Sequence, residues 1–183
     1  MDAAALLRPG LLDGRVVALG GGDGDALGGP LAALGARVTR LPTSADEDAM
    51  AAAVDPATDV LVHDLRPAFA GGLRAALDLA WVTVRAVANA AYVAQARSGK
   101  VVVIAPRSDS ARPEAAGARA AAENLARTLS IEWARHGITT VAITPGPDSG
   151  EAQLAALAAY LASPAGDYFS GARLALGETA LTA

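Results

Sequence analysis

The chain has 183 residues, of which 52% are hydrophobic, and these values predict one domain over residues 1–183 with a well-buried core. Its formal net charge of -4 offers no positive field, so nucleic-acid binding is excluded as a function. The chain has no cysteine and 2 histidines that are far apart, so we expect no disulfide, no thiol chemistry and no metal centre.

The amino-terminal segment and the longest apolar stretch bear on where the protein acts. Residues Met1–Gly10 combine an early acid with a short apolar run, which is not the pattern of a secretory signal. The stretch Leu73–Ala96 contains Asp78 and Arg85, so it predicts a buried or interface helix and not a membrane span. We therefore expect a soluble, cytoplasmic protein with no membrane partner.

The first strand and the first two helices are predicted from apolar runs, glycines and a proline. Arg15–Leu19 runs into glycines, as a central parallel strand does where it enters a turn. Because proline is comfortable only in the first turn of a helix, Pro30 predicts a short helix that begins within Leu27–Gly29 and closes at Gly35. Ser44–Glu47 then indicates a capped helix start with a carboxylate in the third position.

Strands and helices alternate over the rest of the chain. This alternation predicts an α/β fold, a three-layer sandwich in which a mostly parallel sheet of about six strands is covered by helices on both faces. The later strands are predicted at Ala36–Leu41, Asp59–Asp64, Gly99–Ile104, Thr139–Ile143 and Ala172–Leu176. The later helices are predicted up to about Val54 and at Leu73–Ala96, Ala115–Arg135 and Glu151–Leu161.

The region Gly99–Gly146 resembles the short-chain dehydrogenase/reductase (SDR) family. Gly99–Ile104 matches the strand that leads into the family's active site, Arg119–Leu129 matches the following helix, and His136–Gly146 matches the next strand with its terminal Pro-Gly. The resemblance continues more loosely from about Leu12 to Gly177. It implies a Rossmann-like fold, trimmed between the first helix and the third strand and again after Pro-Gly.

The same resemblance implies where catalytic side chains would stand. In the family a tyrosine gives a proton to the substrate carbonyl, and a lysine four residues on lowers the tyrosine pKa and holds the ribose. A serine holds the carbonyl oxygen, and an asparagine lies on the preceding helix. Counting from Pro-Gly, the tyrosine position is Ala115 and the lysine position is Arg119. The serine position falls on Ala105 or Pro106 and the asparagine position near Asp78. We therefore predict no catalytic residue in this chain.

Two nearby features qualify that prediction. Arg119 keeps a positive charge that could bind a ribose or a phosphate, but it does not lose its proton as a tuned lysine can. Ser108 and Ser110 follow the serine position in a shortened loop, and we interpret them as turn residues.

The glycine turn stands where the family cradles the pyrophosphate of NAD(P) at a helix amino terminus. Its residues are Gly20, Gly21, Gly22, Asp23, Gly24 and Asp25, and their spacing does not match the family motif. Each acid would repel a pyrophosphate, by about 4 kcal/mol for one contact at about 4 Å and an effective dielectric constant of about 20. We expect Asp23 or Asp25 to cap the helix, leaving a vestigial loop and no cofactor in this chain.

The two histidines and their neighbours are expected to be structural. His63 and Asp64 end a strand where α/β proteins often bind ligands, but adjacent strand residues point to opposite faces and do not form a dyad. We expect both to satisfy loop backbone. His136 precedes Gly137 at a helix end, where a cation is favourable.

Four residues are candidates for subunit contacts. Trp81 and Arg85 lie on the first and Trp133 on the second of the two helices by which the SDR family pairs its subunits. A core role for the tryptophans is equally consistent with the sequence. Tyr168 lies before the last strand, in a stretch that helps to build a second interface in that family.

The overall pattern is most like the abridged, inactive amino-terminal domain of high-molecular-weight 3-oxoacyl-ACP reductases. It predicts a catalytically silent subunit that pairs with an active SDR paralogue, or with itself. NAD(P) and the reduction of a 3-oxoacyl thioester or related ketone would then belong to the partner. Two alternatives stay open. One is a self-sufficient NAD(P)-dependent oxidoreductase with an atypical site, and the other is a small-ligand-binding or regulatory Rossmann module.

Overall fold

The computed structural model describes residues 6–22 and 25–177, and within them six strands form one parallel sheet in the order β2-β1-β3-β4-β5-β6. The strands are β1 (Val16–Gly20), β2 (Arg37–Arg40), β3 (Val60–Asp64), β4 (Gly99–Ile104), β5 (Ile138–Pro145) and β6 (Arg173–Leu176). The helices are α1 (Asp25–Ala33), α2 (Glu47–Ala53), α3 (Leu65–Phe69), α4 (Leu73–Val87), α5 (Ala115–Glu132) and α6 (Glu151–Ala162). This architecture confirms the predicted α/β fold.

The central strands are buried on both faces, which is why their sequences are nearly continuous apolar runs. Successive residues point to opposite sides, so Leu61 and Val101 join the core under α2, α4 and α5. Val62 and Val102 join the core under α1 and α6. Two apolar layers on one sheet therefore hold the described part of the chain together.

Helix α1 begins earlier than the sequence predicted. It starts at Asp25, so that Pro30 lies inside the helix and not in its first turn. A residue before proline usually leaves the helical region because its Cβ meets the proline ring. Gly29 has no Cβ, so α1 runs through Pro30 at the cost of the backbone hydrogen bond that proline cannot donate.

The amino-terminal cap of α2 also differs from the prediction. Asp46 is the cap residue, and its Oδ1 accepts the N–H of Ala49 at 2.9 Å. Ser44 lies two residues before the cap, where its Oγ accepts the N–H of Asp46 at 3.2 Å. The predicted helix end near Val54 is confirmed.

The long predicted helix Leu73–Ala96 changes form partway. α4 ends at Val87 and continues as a π-helical turn, Ala88–Val93. Tyr92 in this turn is fully buried, and its hydroxyl donates to the carbonyl oxygen of Lys100 at 3.0 Å. Its ring lies over Gly99, where a Cβ would come within 2.4 Å of ring carbon. Burial raises the pKa of Tyr92, so this phenol stays protonated and serves packing.

Two short 3-10 turns complete the described chain, at Ala134–His136 and Pro164–Phe169. None of the helices in the described residues combines the length and apolar character that crossing a bilayer requires.

Candidate functional site

The carboxyl ends of the strands bring several predicted site residues together. Arg119 on α5 donates from Nη1 to the carbonyl oxygen of Pro106 at 2.9 Å and to that of Pro145 at 2.6 Å. Its guanidinium therefore links the ends of β4 and β5. Ala115 lies one turn earlier on the same helix and is buried. The tyrosine and lysine positions thus hold a methyl group and a cation bound to backbone.

Asp78, the fourth predicted position, does not join this group. It lies on α4 with its side chain largely exposed and forms an ion pair with Arg74, one turn away on the same helix, at 3.4 Å. Asp78 lines the groove between α4 and α5 and not the edge of the sheet. The structure therefore brings Pro106, Ala115 and Arg119 together and leaves Asp78 apart.

The glycine turn after β1 packs tightly against the start of α3. Gly21 has a φ of 97°, and a Cβ there would come within 1.9 Å of the carbonyl oxygen of Asp64. A Cβ on Gly22 would come within 2.6 Å of the Pro67 side chain. Both glycines are therefore required by contacts within the protein itself. Of the two predicted cap residues, Asp23 lies outside the described residues, as does Gly24, and the side chain of Asp25 is not described either.

Helix α3 is a feature that the sequence analysis missed, and it carries an ion-pair network. Asp64 caps α3, because its Oδ1 accepts the N–H of Arg66 at 2.9 Å. The Arg66 side chain donates back to Asp64, with Nη2 to Oδ2 at 2.8 Å, and across to Glu151 with Nη1 to Oε1 at 2.7 Å. Burial alone would lower the pKa of Arg66, but the bonds to Asp64 and Glu151 outweigh it and raise that pKa. The network connects β3 to the first turn of α6.

A second arginine, also missed, holds the neighbouring loop. Arg107 donates from Nη1 to the carbonyl oxygen of Ser149 and from Nη2 to that of Pro147, both at 2.7 Å. A cavity of about 330 Å³ remains beside Arg66 and Arg107. Both arginines bond to other residues of the protein. Hydrogen bonds and ion pairs therefore close much of the surface at the carboxyl ends of the strands. Ser108 is an exposed loop residue.

His63 differs from expectation more than any other residue. Its side chain is fully buried, and neither ring nitrogen has a hydrogen-bond partner among the described residues. Thr83 Oγ1, on the α4 side of the sheet, is also buried without a described partner. Burial lowers the pKa of His63 from 6.5 to about 4, so the ring is neutral near pH 7. The prediction that His63 satisfies loop backbone is wrong. Asp64 does bond to backbone, but that backbone belongs to helix α3 and not to a loop.

The sequence did contain a short pattern that indicates some of the missed residues. Asp64 followed three residues later by Pro67 has the form of a capped helix start with proline in the first turn. That pattern would have predicted α3 and drawn attention to Arg66. No local signal pairs Arg66 with Glu151, because they are 85 residues apart.

The four interface candidates fall in different environments. Trp81 is 44% exposed and lines an α4–α5 groove of about 470 Å³. Arg85 forms an ion pair with Glu47 on α2. Trp133 is half-buried and packs against the core under α4 and α5. Tyr168 is 90% exposed.

Three solved structures have a similar fold. A hydroxysteroid dehydrogenase from Escherichia coli has a TM-score of 0.74 at 19% sequence identity, over 91% of this chain and 97% of that chain. A citronellol catabolism dehydrogenase of Pseudomonas aeruginosa gives 0.71 at 23% identity, over 93% and 96%. A variant short-chain dehydrogenase/reductase of Serratia marcescens gives 0.68 at 23% identity, over 90% and 96%. This chain has the short-chain dehydrogenase fold.

The SDR fold is what these comparisons establish. No protein-family model matches the sequence, and no curated protein matches it. Within the SDR fold the chain is trimmed as expected, since only β2 and α2 lie between α1 and β3 and β5 leads almost directly into α6. Within the described residues no cluster of three or more histidine or carboxylate side chains could hold a metal ion. Function has to be argued from the residues at the site, because one fold supports many activities.

Proposed function

We propose that this protein is a catalytically silent SDR-fold subunit that binds and stabilises an active short-chain reductase. The active partner would hold NAD(P) and reduce a 3-oxoacyl thioester or a related ketone. The proposal rests on one observation above all, which is the buried methyl group of Ala115 one turn before Arg119. A methyl group has no proton to give a carbonyl oxygen, and an arginine bonded to two backbone carbonyls is not a tuned base.

The environment of the glycine turn supports the same proposal. A dinucleotide needs the backbone of such a turn to be open to its pyrophosphate. Here Gly21 abuts the carbonyl oxygen of Asp64 and Gly22 abuts Pro67, so the start of α3 lies where access would be needed. Both contacts support our proposal that this chain holds no NAD(P). The resemblance to the inactive domain of high-molecular-weight 3-oxoacyl-ACP reductases supplies the substrate class.

The α4–α5 face is the surface that we propose for the partner. It presents Trp81, which is 44% exposed, in an apolar groove lined by residues of α4 and α5. Large exposed apolar side chains around a groove are typical of protein interfaces. The occupant would be the same face of an active SDR paralogue, with a second copy of this chain as the competing outcome.

A nicotinamide titration tests the silent character directly. NADPH is added to the purified chain while the emission of Trp81 and Trp133 is followed. We expect no saturable quenching and no oxidation of NADPH with a 3-oxoacyl thioester. Saturable binding together with turnover by the lone polypeptide would instead establish the self-sufficient oxidoreductase. A small molecule retained in native mass spectrometry would favour the ligand-binding module.

Co-expression tests the partner. An affinity-tagged copy of this chain is expressed with a full-length active short-chain reductase, and we expect the two to co-purify. Trp81→Arg places a charge in the groove and should abolish co-purification, whereas Tyr168→Ser changes a more exposed aromatic residue elsewhere and should not. The scaffold role is refuted if no active reductase is retained. Loss with Tyr168→Ser alone would move the interface to the region before β6.

A further inference from the structure

Another cavity, of about 490 Å³, lies at the opposite ends of the strands from the glycine turn. Arg15 precedes β1, Asp59 precedes β3, Lys100 belongs to the start of β4 and Thr139 to the start of β5, so the cavity opens at the amino ends of four strands. Its charged lining consists of Arg15, Asp59, Arg97, Lys100 and Asp167. The catalytic region of the SDR fold lies at the carboxyl ends of the strands.

Internal ion pairs use both carboxylates of this cavity. Asp59 accepts the N–H of Val16 with Oδ2 at 2.9 Å and pairs with Nη2 of Arg97 through Oδ1 at 2.5 Å. Asp167 pairs with Nζ of Lys100 at 2.5 Å. Each carboxylate therefore already has a cation partner among the described residues.

Arg15 is the one cation of this lining without an ion pair among the described residues. Three cations and two carboxylates line the cavity, so 3 − 2 leaves a net charge of +1 in a chain whose net charge is -4. Its guanidinium is half-buried and has no carboxylate partner in residues 6–22 and 25–177. Arg15 also acts on Lys100. Burial is the main reason that the pKa of Lys100 is lowered, Asp167 opposes this, and repulsion from Arg15 lowers the pKa further.

We propose that this cavity binds a phosphate-bearing small molecule, with the phosphoryl group against the Arg15 guanidinium and the hydroxyls of Ser98 and Thr139. A guanidinium presents a planar pair of donors that matches phosphate oxygens. Ser98 and Thr139 line the same cavity from two other segments of the chain. Donors from three segments of the chain suit a tetrahedral phosphoryl group with three terminal oxygens better than a planar carboxylate with two.

Binding of an anion would also relieve the repulsion between Arg15 and Lys100, and this gives the ligand a favourable electrostatic contribution. The inference does not depend on the silent-subunit proposal, because no residue of the glycine turn or of the Arg119 region lines this cavity. A phosphorylated metabolite held here would act as a ligand of the scaffold and not as its substrate.

Inorganic phosphate is the probe for the test. It is titrated calorimetrically into the full chain in a low-salt chloride buffer, with acetate in a parallel arm. We expect saturable, one-to-one phosphate binding that weakens about tenfold or more in Arg15→Gln, as the loss of a charge-assisted hydrogen bond predicts. Arg74→Gln is the matched control, since Arg74 is an almost fully exposed arginine on α4. The affinity of this variant for phosphate should equal that of the native chain.

A thermal-shift measurement separates phosphate binding from any effect of the substitution on stability. The change in melting temperature caused by phosphate is compared within each variant, and it should be present in the native chain and absent in Arg15→Gln. The proposal is overturned if phosphate binding is undetectable or is unchanged in Arg15→Gln. Acetate binding as tightly as phosphate would overturn the phosphoryl assignment as well.

Discussion

His63 illustrates at the residue scale how burial controls charge. Folding lowers its pKa from 6.5 to about 4, so below pH 6.5 the unfolded chain binds a proton that the folded chain accepts only near pH 4. The free energy of unfolding is therefore at its full value above pH 6.5 and falls as the pH is lowered to 4. We expect a loss of about 2 kcal/mol by pH 5 and about 3 kcal/mol in full.

Replacing the ring tests this assignment. In His63→Leu the contribution of His63 to the pH dependence of the unfolding free energy should disappear. Urea unfolding at pH 7.5 and at pH 5 measures this difference. His136→Gln is the matched control, because His136 is the chain's other histidine and lies in a 3-10 turn. This variant should show the same fall in unfolding free energy between pH 7.5 and pH 5 as the native chain. If the unfolding free energy of His63→Leu falls by the same amount, other titrating groups cause the pH dependence.

Residue chemistry was predictable where it depends on identity and not where it depends on surroundings. That Ala115 offers no proton and that Arg119 is permanently charged follows from the side chains alone. That Arg119 bonds to Pro106 and Pro145 required the ends of β4 and β5 to meet. The isolation of His63 likewise depends on α4 covering the sheet.

At the scale of elements, α3 and α6 are joined through one arginine, and the two acids it contacts are not equivalent. The Asp64 side chain is 8% exposed, whereas that of Glu151 is 51% exposed. Arg66→Ala leaves the Asp64 carboxylate buried without its cation, which should cost about 3 kcal/mol of unfolding free energy. Glu151→Ala breaks an exposed pair and should cost less than about 1 kcal/mol.

Guanidinium unfolding of both variants measures this difference, with Arg74→Ala as a control for loss of a solvent-exposed arginine. Equal effects of Arg66→Ala and Glu151→Ala would mean that the pairing across to α6, and not the buried pair with Asp64, carries the stabilisation.

The elements that were predicted well are those with long, uniform patterns. The strand β4 was placed at Gly99–Ile104 as found, because a strand buried on both faces is apolar over most of its length. Short or irregular elements were missed. α3 has five residues, and the π-helical turn at Ala88–Val93 depends on the packing of Tyr92 over Gly99.

Across the whole molecule, two apolar layers share one sheet, and this predicts cooperative unfolding. Leu31 lies in the layer under α1 and α6, and Leu129 lies in the layer under α4 and α5. Either leucine changed to alanine should lower the unfolding free energy by about 2–5 kcal/mol, because both are buried. In each variant circular dichroism and tryptophan emission should report the same single transition.

Ile131→Ala is the control for this pair, since Ile131 is 75% exposed and its truncation should change stability little. Two separated transitions in Leu31→Ala would show that the layer under α1 and α6 melts independently, and would contradict the single domain expected from the sequence.

The sequence by itself determined the alternation of strands and helices, the burial of the sheet on both faces and the absence of a phenol at residue 115. These depend on local periodicity and on side-chain identity, which are present in the linear order of residues. Only the tertiary structure decided which distant groups meet. It brought Arg66 to Glu151, set Pro67 against the glycine turn, and gathered Arg15 with Ser98 and Thr139 at the amino ends of the strands. Such encounters depend on how strands are ordered and helices packed, which no local pattern contains.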